Sequence, residues 1–301
     1  MLNIPIISVA MCTYNGEKYI RAQLESILSQ TYQSFEIIIV DDCSADNTYK
    51  ILEEFAKKDA RIKCYRNDTN LGFNQNFQKA VSLALGNYIA ISDQDDVWKP
   101  EKLEVLLEHI GNNWLIFSNS SRMNENGADL QKKLLNGFAL EGMTYKSILL
   151  INWVTGHTSL FKKEFLSYIL PFPKNGYYDW WMGFVAFYHH KITYVDAILT
   201  DYRIHEKSVT QAAKPAKKKE RKIYGHQSVI VMLEEFMKYK NLKPQDRSFI
   251  GELKEVMCHK VGRPFSWPLY NFIYTNYESF SFGKARRGLS KINFAFKYSR
   301  R

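Results

Sequence analysis

Three carboxylates, Asp93, Asp95 and Asp96, lie within four consecutive positions that are separated by one residue from the apolar run Tyr88-Ile89-Ala90-Ile91. The run is typical of a buried strand, and this much negative charge at its end is unfavourable unless a cation lies there. Because Mg²⁺ binds one or two carboxylates together with phosphate oxygens, the cluster predicts a cation that carries a phosphorylated substrate. The alternative is a solvated acidic turn in which Asp96 caps a helix near Lys99-Pro100-Glu101, although capping needs only one acid.

Polar residues also follow two earlier apolar runs. Thr13-Tyr14-Asn15-Gly16 comes after the run at residues 6–11, and Asp41-Asp42 comes after the run at residues 35–40. If these runs are parallel strands, their carboxyl ends meet at one edge of a sheet, where nucleotides bind in such folds. The sequence therefore predicts a nucleotide site at that edge.

Predicted strands and helices alternate regularly over the first part of the chain. Strands that are apolar on both faces, separated by helices with one apolar face, predict an α/β fold with a mostly parallel sheet covered by helices on both faces. The predicted elements are strands at residues 6–11, 35–40, 61–66 and 88–91, helices at residues 17–30 and 73–85, and a helix opening at Ser44-Ala45-Asp46.

The pattern becomes mixed between Trp114 and Tyr202 and changes again after Ala212. A basic run at residues 214–222 is followed by apolar residues at helical spacing and by an aromatic, basic tail. We predict a main domain of residues 1–212 and a helical extension of residues 213–301. In the mixed part we expect strands at residues 115–117, 153–161 and 192–195 and helices at residues 144–151 and 179–188.

The net charge of +10 is unevenly distributed. Residues 260–301 contain nine lysines and arginines and a single acid, Glu278. Such patches attract nucleic acid or anionic lipid, while a solvated basic face is the alternative. No recognised nucleic-acid-binding module accompanies the charge, and the half of the chain that bears the motifs is not basic. We therefore predict no nucleic-acid partner.

Cysteine spacing and hydropathy indicate the compartment. The four cysteines have no paired or metal-ligand spacing, which fits a reducing cytosol. No apolar run approaches the ~20 residues needed to cross a bilayer, and the N-terminal apolar stretch is better interpreted as a strand than as a signal peptide. We predict a cytoplasmic protein whose tail rests on the inner face of the cell membrane. Alternatively, the tail packs on the main domain or forms a dimer contact.

Several short segments of this chain, in their number and order, resemble the motifs of family 2 glycosyltransferases, which are inverting enzymes of the GT-A fold. The shared segments in the first half are Thr13-Tyr14-Asn15-Gly16, Val40-Asp41-Asp42, Asn70-Leu71-Gly72 and Asp93-Gln94-Asp95-Asp96. Later segments resemble rhamnosyltransferase-like bacterial members that build surface polysaccharides: Thr155-Gly156-His157, Tyr178-Asp179-Trp180-Trp181 and Tyr202-Arg203-Ile204-His205. The resemblance covers roughly residues 5–210 and implies that the main domain is the catalytic one.

The resemblance implies a nucleotide subsite. Tyr14 would stack on a pyrimidine base, unless it is a core tyrosine, and Asp41 would accept the base N3–H. Asp42 would support the turn or cap the helix that starts near Ala45. The other nucleotide-binding positions that it implies are Thr13, Asn15 and Asn70.

The resemblance also implies a metal and phosphate subsite that takes Mn²⁺ or Mg²⁺. Asp93 and Asp95 match the family's DxD pattern, with Asp95 as the direct metal ligand and Asp93 near the ribose or the metal. Asp96 would support the metal ligands or contact the sugar. His205 would make a late metal or phosphate contact, unless its role is structural, and Arg203 would pair with phosphate.

Asp179 is the general base that the resemblance implies. An inverting transfer needs one carboxylate to deprotonate the acceptor hydroxyl. Trp180 and Trp181 would hold the acceptor sugar, and His157 would lie near the donor sugar. The alternative for Asp179 is an N-cap on a helix starting at Trp180, and both roles are compatible.

The expected reaction is transfer from dTDP-rhamnose or a UDP-hexose to a glycan or lipid-linked acceptor. Another nucleotide-sugar enzyme, such as a nucleotidyltransferase, is the alternative. That class needs a glycine-rich, Lys- or Arg-bearing phosphate loop after the first strand, and Thr13-Tyr14-Asn15-Gly16-Glu17 does not provide one.

Overall fold

The computed structural model describes residues 6–206, 208, 218–280 and 290–300. The chain divides into two compact units that interleave in sequence. The first comprises residues 1–136, 154–174 and 191–205, and the second comprises residues 137–153, 175–190 and 206–301. The predicted division between residues 212 and 213 stays a prediction.

The first unit contains a mixed nine-stranded sheet in the described part of the chain. Its strands are β1 (Ile7–Thr13), β2 (Phe35–Asp41), β3 (Ile62–Arg66), β4 (Tyr88–Ser92), β5 (Val97–Trp98), β6 (Leu115–Met123), β7 (Asp129–Lys133), β8 (Ser159–Lys162) and β9 (Ile192–Arg203). Their order is β3-β2-β1-β4-β8-β6-β9-β5, with β7 paired to β6. Strands β1 to β4 pair in parallel as predicted, whereas β8 runs antiparallel to both β4 and β6.

Helices cover both faces of this sheet, because successive side chains along each strand point to opposite faces. The helices of the first unit are α1 (Ile20–Leu28), α2 (Thr48–Ala56), α3 (Phe73–Ser82), α4 (Lys102–His109) and the short α5 (Leu166–Ile169). Val9 and Ile37 share one core cluster with apolar residues of α1, α2 and α4. Helix α3 packs against β1 and β2 on the opposite face. The predicted α/β architecture is confirmed.

The strand register aligns the polar ends on which the predicted site depends. Thr13 pairs with Asp41, and Asp41 in turn pairs with Arg66. On the other side of β1, Met11 pairs with Ser92, the residue before the acidic cluster. The carboxyl ends of β1, β2 and β4 therefore lie side by side, as the parallel arrangement requires.

Several boundaries differ from the sequence prediction. The second helix begins at Thr48 rather than at Ser44. The helix predicted at residues 144–151 is only a 3₁₀ turn at Tyr145–Ile148, and the strand predicted at residues 153–161 is a 3₁₀ turn followed by β8. Strand β9 runs to Arg203, well beyond the predicted Val195, because it pairs in parallel with the whole of β6.

The second unit is helical in its described part. Its helices are α6 (Tyr178–Tyr188), α7 (Lys218–Met237), α8 (Pro244–Lys260), α9 (Trp267–Thr275), α10 (Tyr277–Phe280) and α11 (Lys291–Arg300). Phe184 of α6 stacks on Phe236 of α7 with ring centroids 4.2 Å apart. Among the described residues, no helix combines the length and apolarity needed to cross a membrane.

Candidate functional site

The three carboxylates of the acidic turn after β4 become more buried along the chain. The side chain of Asp93 is 38% exposed and that of Asp95 is 16% exposed, whereas Asp96 is completely buried. Asp96 accepts a hydrogen bond from the backbone N–H of Arg203 at 3.0 Å, and the next helix begins at Lys102 with Glu101 at its N-cap position. The alternative of a solvated turn with Asp96 as a helix cap is therefore wrong.

The end of β9 lies against this turn. Nε2 of His205 lies 2.7 Å from Oδ2 of Asp95, which joins two residues that are 110 positions apart. Nε of Arg203 donates to the carbonyl of Asp95 at 2.8 Å, and its Nη1 donates to the carbonyl of Glu125 at 3.1 Å. Because Arg203 is only 6% exposed, these contacts show its structural role, and its predicted phosphate contact stays a prediction.

Asp96 also belongs to a deeper polar cluster with Asp93 and His157. Each of the three offers a ligand atom, and these atoms all lie within 4.8 Å of one another. Oδ2 of Asp96 is buried and has no hydrogen-bond partner among the described residues. Burial, followed by the negative charges of Asp95 and Asp93, raises the pKa of Asp96 well above its ordinary value. An unsatisfied buried oxygen beside a second carboxylate and an imidazole fits a divalent cation or a polar group of a bound substrate.

His157 is held by its neighbours on several sides. It is 4% exposed, its ring stacks on Tyr202 at 4.9 Å, and its Nε2 lies 3.4 Å from Oγ of Ser120. Its Nδ1 lies 3.9 Å from Oδ2 of Asp93. Burial, with a smaller contribution from the positive charge of Lys102, lowers the pKa of His157 to about 3. The imidazole is therefore neutral at physiological pH and can offer a nitrogen as a ligand.

Sequence reasoning missed Lys102, which is fully buried beneath this cluster. Its Nζ donates to the carbonyl of His157 at 2.6 Å and to Oγ1 of Thr200 at 3.0 Å, and it lies 3.5 Å from the ring centroid of Trp98. Burial lowers the pKa of Lys102, although the charges of Asp96 and Asp93 oppose this shift. A lysine in the first turn of a helix is ordinarily solvated, so this role of Lys102 has no signal in the local sequence pattern.

The loops after β1 and β2 are joined by hydrogen bonds. Oγ1 of Thr13 donates to Oδ1 of Asp41 at 2.9 Å, and the backbone N–H of Ser44 donates to Oδ2 of Asp41 at 2.9 Å. Asn15, with a φ of 48°, donates its backbone N–H to Oγ of Ser44 at 2.9 Å. Asp41 is fully buried and holds the loop in this structure, so its predicted contact with a base stays a prediction.

Tyr14 is 48% exposed, which excludes the core role and leaves its ring accessible for stacking. Gln94 links its loop to the acidic turn. The backbone N–H of Tyr14 donates to Oε1 of Gln94 at 2.9 Å, and Nε2 of Gln94 donates to the carbonyl of Tyr14 at 3.0 Å. A Cβ at Gly16 would lie only 2.2 Å from Oε1 of Gln94, so a larger residue at position 16 would displace the Gln94 side chain. Gln94 was not among the residues predicted for the site.

Asp42 supports the loop before α3. Its carboxylate accepts hydrogen bonds from the backbone N–H groups of Leu71 and Gly72 at 2.8 and 2.9 Å and from Nδ2 of Asn67 at 2.8 Å. The predicted support of the turn after β2 by Asp42 stays a prediction, and the predicted cap near Ala45 is wrong because the helix starts at Thr48. Asn70 bonds within this loop, where its Oδ1 accepts from the N–H of Gly72 at 3.1 Å.

Asp179, Trp180 and Trp181 belong to the second unit. The helix begins at Tyr178 with Tyr177 at its N-cap position, so the predicted cap at Asp179 is wrong by two residues. Asp179 lies in the first turn, is half-buried, and accepts the N–H of Trp180 at 2.7 Å through Oδ1. Both indoles are buried, and Nε1 of Trp180 donates to the carbonyl of Ile148 at 2.7 Å. Core packing of the two indoles is thus observed, and their contact with an acceptor stays a prediction.

The site of the first unit therefore has an exposed ring at Tyr14, an acidic turn that is partly exposed, and a histidine, His205, two residues after strand β9. The sequence profile of glycosyl transferase family 2 matches residues 8–170, which is more than half of the chain. The chain belongs to glycosyl transferase family 2.

Individual relatives of this glycosyltransferase agree with the family. An uncharacterized glycosyltransferase of Methanocaldococcus jannaschii is 34% identical over 66% of this chain and 71% of that protein. A putative teichuronic acid biosynthesis glycosyltransferase of Bacillus subtilis is 38% identical over 48% of this chain and 57% of its own length. An Escherichia coli β-1,3-glucosyltransferase, named for UDP-Glc and a diphosphoundecaprenol-linked GlcNAc, is 28% identical over 68% of this chain and 79% of its own.

Solved structures show the same fold. Staphylococcus aureus TarS in complex with UDP-GlcNAc aligns with a TM-score of 0.63 at 18% identity, covering 96% of this chain and 79% of that chain. The mannosyltransferase of Pyrobaculum calidifontis in complex with GDP-Man and Mn²⁺ aligns with a TM-score of 0.56 at 14% identity, covering 98% of this chain and 86% of that chain. The GT-A fold expected from the sequence is confirmed.

Proposed function

We propose that this family 2 glycosyltransferase is a metal-dependent, inverting enzyme of surface-polysaccharide biosynthesis. It moves a sugar from dTDP-rhamnose or a UDP-hexose to a glycan or lipid-linked acceptor. The observation that carries the proposal is the pairing of Asp95 with His205 at 2.7 Å, beside the half-exposed Asp93 and at the strand end next to Tyr14. The Bacillus and E. coli relatives, named for teichuronic acid and for a lipid-linked GlcNAc acceptor, support the pathway and the acceptor class.

The nucleotide would bind at the carboxyl ends of β1, β2 and β4. The exposed ring of Tyr14 can stack on a pyrimidine, a contact that buries apolar area without closing the site. The backbone of the loop from Thr13 to Gly16 is fixed by its bonds to Ser44 and Gln94, so the Cα that carries the ring is held in place before the nucleotide arrives. This fixation lowers the conformational entropy that binding would otherwise lose.

A divalent cation fits Asp95 and His205, with Asp93 beside them. A carboxylate oxygen and an imidazole nitrogen that lie 2.7 Å apart can serve as neighbouring ligands of Mn²⁺ or Mg²⁺. Asp96 and His157 lie deeper, so a cation placed between them would be less accessible to a diphosphate. When bound, the cation supplies charge neutralisation of the leaving diphosphate. We assign Asp96 and His157 to the sugar side of the site.

Asp179 is the general base of the proposed reaction. Its carboxylate takes the proton of the acceptor hydroxyl while that oxygen bonds to the anomeric carbon of the donor. The bond from the anomeric carbon to the diphosphate oxygen breaks, its electron pair leaves with the nucleoside diphosphate, and the configuration at the anomeric carbon inverts. The position of Asp179 in the first turn of α6 stabilises its carboxylate, since a helix N-terminus favours negative charge.

Thermal unfolding of the full chain with UDP, dTDP and GDP, with and without Mn²⁺, tests the donor-site proposal. We expect a pyrimidine nucleoside diphosphate to raise Tm by several degrees only when Mn²⁺ is present, because binding to the folded state stabilises it. If GDP raised Tm and neither UDP nor dTDP did, the predicted pyrimidine subsite would be contradicted. If EDTA left the stabilisation unchanged, the proposed divalent cation would be contradicted.

A further inference from the structure

The second unit presents an apolar surface on helices α9 and α11 that the transfer reaction does not use. Ten large hydrophobic side chains are exposed among the described residues, and four of them belong to these two helices. They are Trp267 at 67% exposure, Ile292 at 56%, Phe296 at 45% and Tyr274 at 38%. Exposing an indole and three further apolar side chains together in water is unfavourable and is typical of an interaction surface.

Three of the exposed side chains, Trp267, Tyr274 and Phe296, are linked through half-buried aromatic rings. The ring of Phe265 lies 5.0 Å from that of Trp267 and 5.5 Å from that of Phe296, and thereby joins the two helices. Tyr270 continues the row, since its ring lies 5.7 Å from Trp267 and 5.9 Å from Tyr274. We call the surface formed by Phe265, Trp267, Tyr270, Tyr274, Ile292 and Phe296 the aromatic patch.

Cations surround the aromatic patch. Nζ of Lys291 lies 4.5 Å from the ring centroid of Tyr274, and the guanidinium of Arg300 lies 5.9 Å from that of Phe296. Lys297 on the same helix and Arg263 before α9 are also exposed. Among the described residues from 260 onward, the single acid is Glu278. The patch therefore combines exposed apolar side chains with nearby positive charges.

We infer that the aromatic patch docks on an anionic membrane surface. Aromatic rings with polar edges partition to the boundary between headgroups and acyl chains, and lysine and arginine are attracted by anionic lipid headgroups. A second copy of this chain is a poorer occupant, because it would bring one set of cations against another. Nucleic acid would satisfy the cations but leave Ile292 and Phe296 without an apolar partner.

Vesicle flotation of the full chain tests this inference. Vesicles of phosphatidylcholine with 30% phosphatidylglycerol are compared with vesicles of phosphatidylcholine alone. We expect the unmodified chain to float with the anionic vesicles and to lose this binding at high salt. The triple variant Trp267→Ser, Ile292→Ser, Phe296→Ser should bind at least about tenfold more weakly. The variant Lys291→Glu, Lys297→Glu, Arg300→Glu should lose on the order of 100-fold.

The matched control is Leu85→Ser with Leu130→Ser, which removes two exposed apolar side chains from the first unit. It should bind vesicles as the unmodified chain does. Circular dichroism and stabilisation by nucleoside diphosphate verify that every variant is folded. The inference is overturned if the unmodified chain does not float with anionic vesicles, or if the triple serine variant floats equally well. It is also overturned if sedimentation shows a dimer that the triple serine variant abolishes.

Discussion

Nε2 of His205 lies 2.7 Å from Oδ2 of Asp95, so that the residue two positions after the last strand meets the centre of the acidic turn. Neither side chain is fully buried, at 8% and 16% exposure, and the ring of Tyr19 lies 4.8 Å from the imidazole. The contact places two possible metal-ligand atoms, one nitrogen and one oxygen, together at the edge of the sheet where the nucleotide-sugar is proposed to bind.

Replacing either partner of this contact should weaken cation binding. In His205→Gln and Asp95→Asn, the Mn²⁺ concentration that gives half-maximal stabilisation by UDP or dTDP should rise at least about tenfold, because one ligand is lost or loses its charge. Thermal unfolding over a Mn²⁺ titration measures it. His109→Gln, at an exposed histidine of α4, is the control and should behave as the unmodified chain. Unchanged Mn²⁺ dependence in both site variants would rule out the assigned ligands.

Asp179→Asn should remove transfer but preserve donor binding. General-base catalysis contributes about 10²–10⁴-fold, so kcat should fall by at least 100-fold while Tm stabilisation by nucleoside diphosphate and Mn²⁺ is retained. The measurement is transfer to an acceptor glycan from the donor that the enzyme accepts. Glu255→Gln, an exposed acid in the same unit, serves as control. Activity within a few-fold of the unmodified enzyme would show that another group is the base.

His157 should make the folded state sensitive to acid. Its pKa is lowered to about 3 from an ordinary value of 6.5. The unfolded chain therefore binds a proton between these values that the folded chain does not. Stability consequently rises with pH through this window and is lost as pH falls below about 6.5. Between pH 7.5 and pH 5, the contribution of His157 is about 2 kcal/mol.

The variant His157→Gln should thus lose about 2 kcal/mol less stability than the unmodified chain when the pH is lowered from 7.5 to 5. Urea unfolding at both pH values measures the difference. His190→Gln, which replaces an exposed histidine, controls for the general effect of acid on stability. Equal losses in the unmodified chain and in His157→Gln would show that the imidazole is not neutral in the folded state.

Lys102→Met tests the buried cation. Methionine matches the aliphatic part of the lysine side chain, but it removes the hydrogen bond from Nζ to the carbonyl of His157. It also removes the electrostatic interaction of Lys102 with Asp96. We expect unfolding free energy to fall by about 2–4 kcal/mol, as when one partner of a buried charged network is removed. Lys99→Met, which loses only a partly exposed ion pair to Asp201, should cost about 1 kcal/mol or less. Similar costs for the two variants would contradict the role of Lys102.

The local sequence pattern was sufficient to predict the parallel strands and the polar residues at their carboxyl ends, because apolar runs and their alternation with amphipathic segments can be recognised within short stretches of the chain. It was not sufficient for the burial of Asp96, the burial of Lys102 or the length of β9. Each of these depends on pairing between distant segments: β9 continues to Arg203 because β6 continues beside it, and this brings His205 to Asp95. The sequence grouped Asp93 with Asp95, whereas the structure also brings Asp93 to Asp96 and His157.

Release of nucleoside diphosphate from a panel of donors tests whether this chain is a metal-dependent glycosyltransferase that uses a pyrimidine nucleotide-sugar. The full chain is incubated with dTDP-rhamnose, UDP-glucose, UDP-galactose, UDP-GlcNAc and GDP-mannose, each with Mn²⁺ and then with excess EDTA. We predict release from at least one dTDP- or UDP-sugar, loss of that release with EDTA, and its recovery when Mn²⁺ is restored. Release that continues unchanged in EDTA, or turnover confined to GDP-mannose, would contradict it.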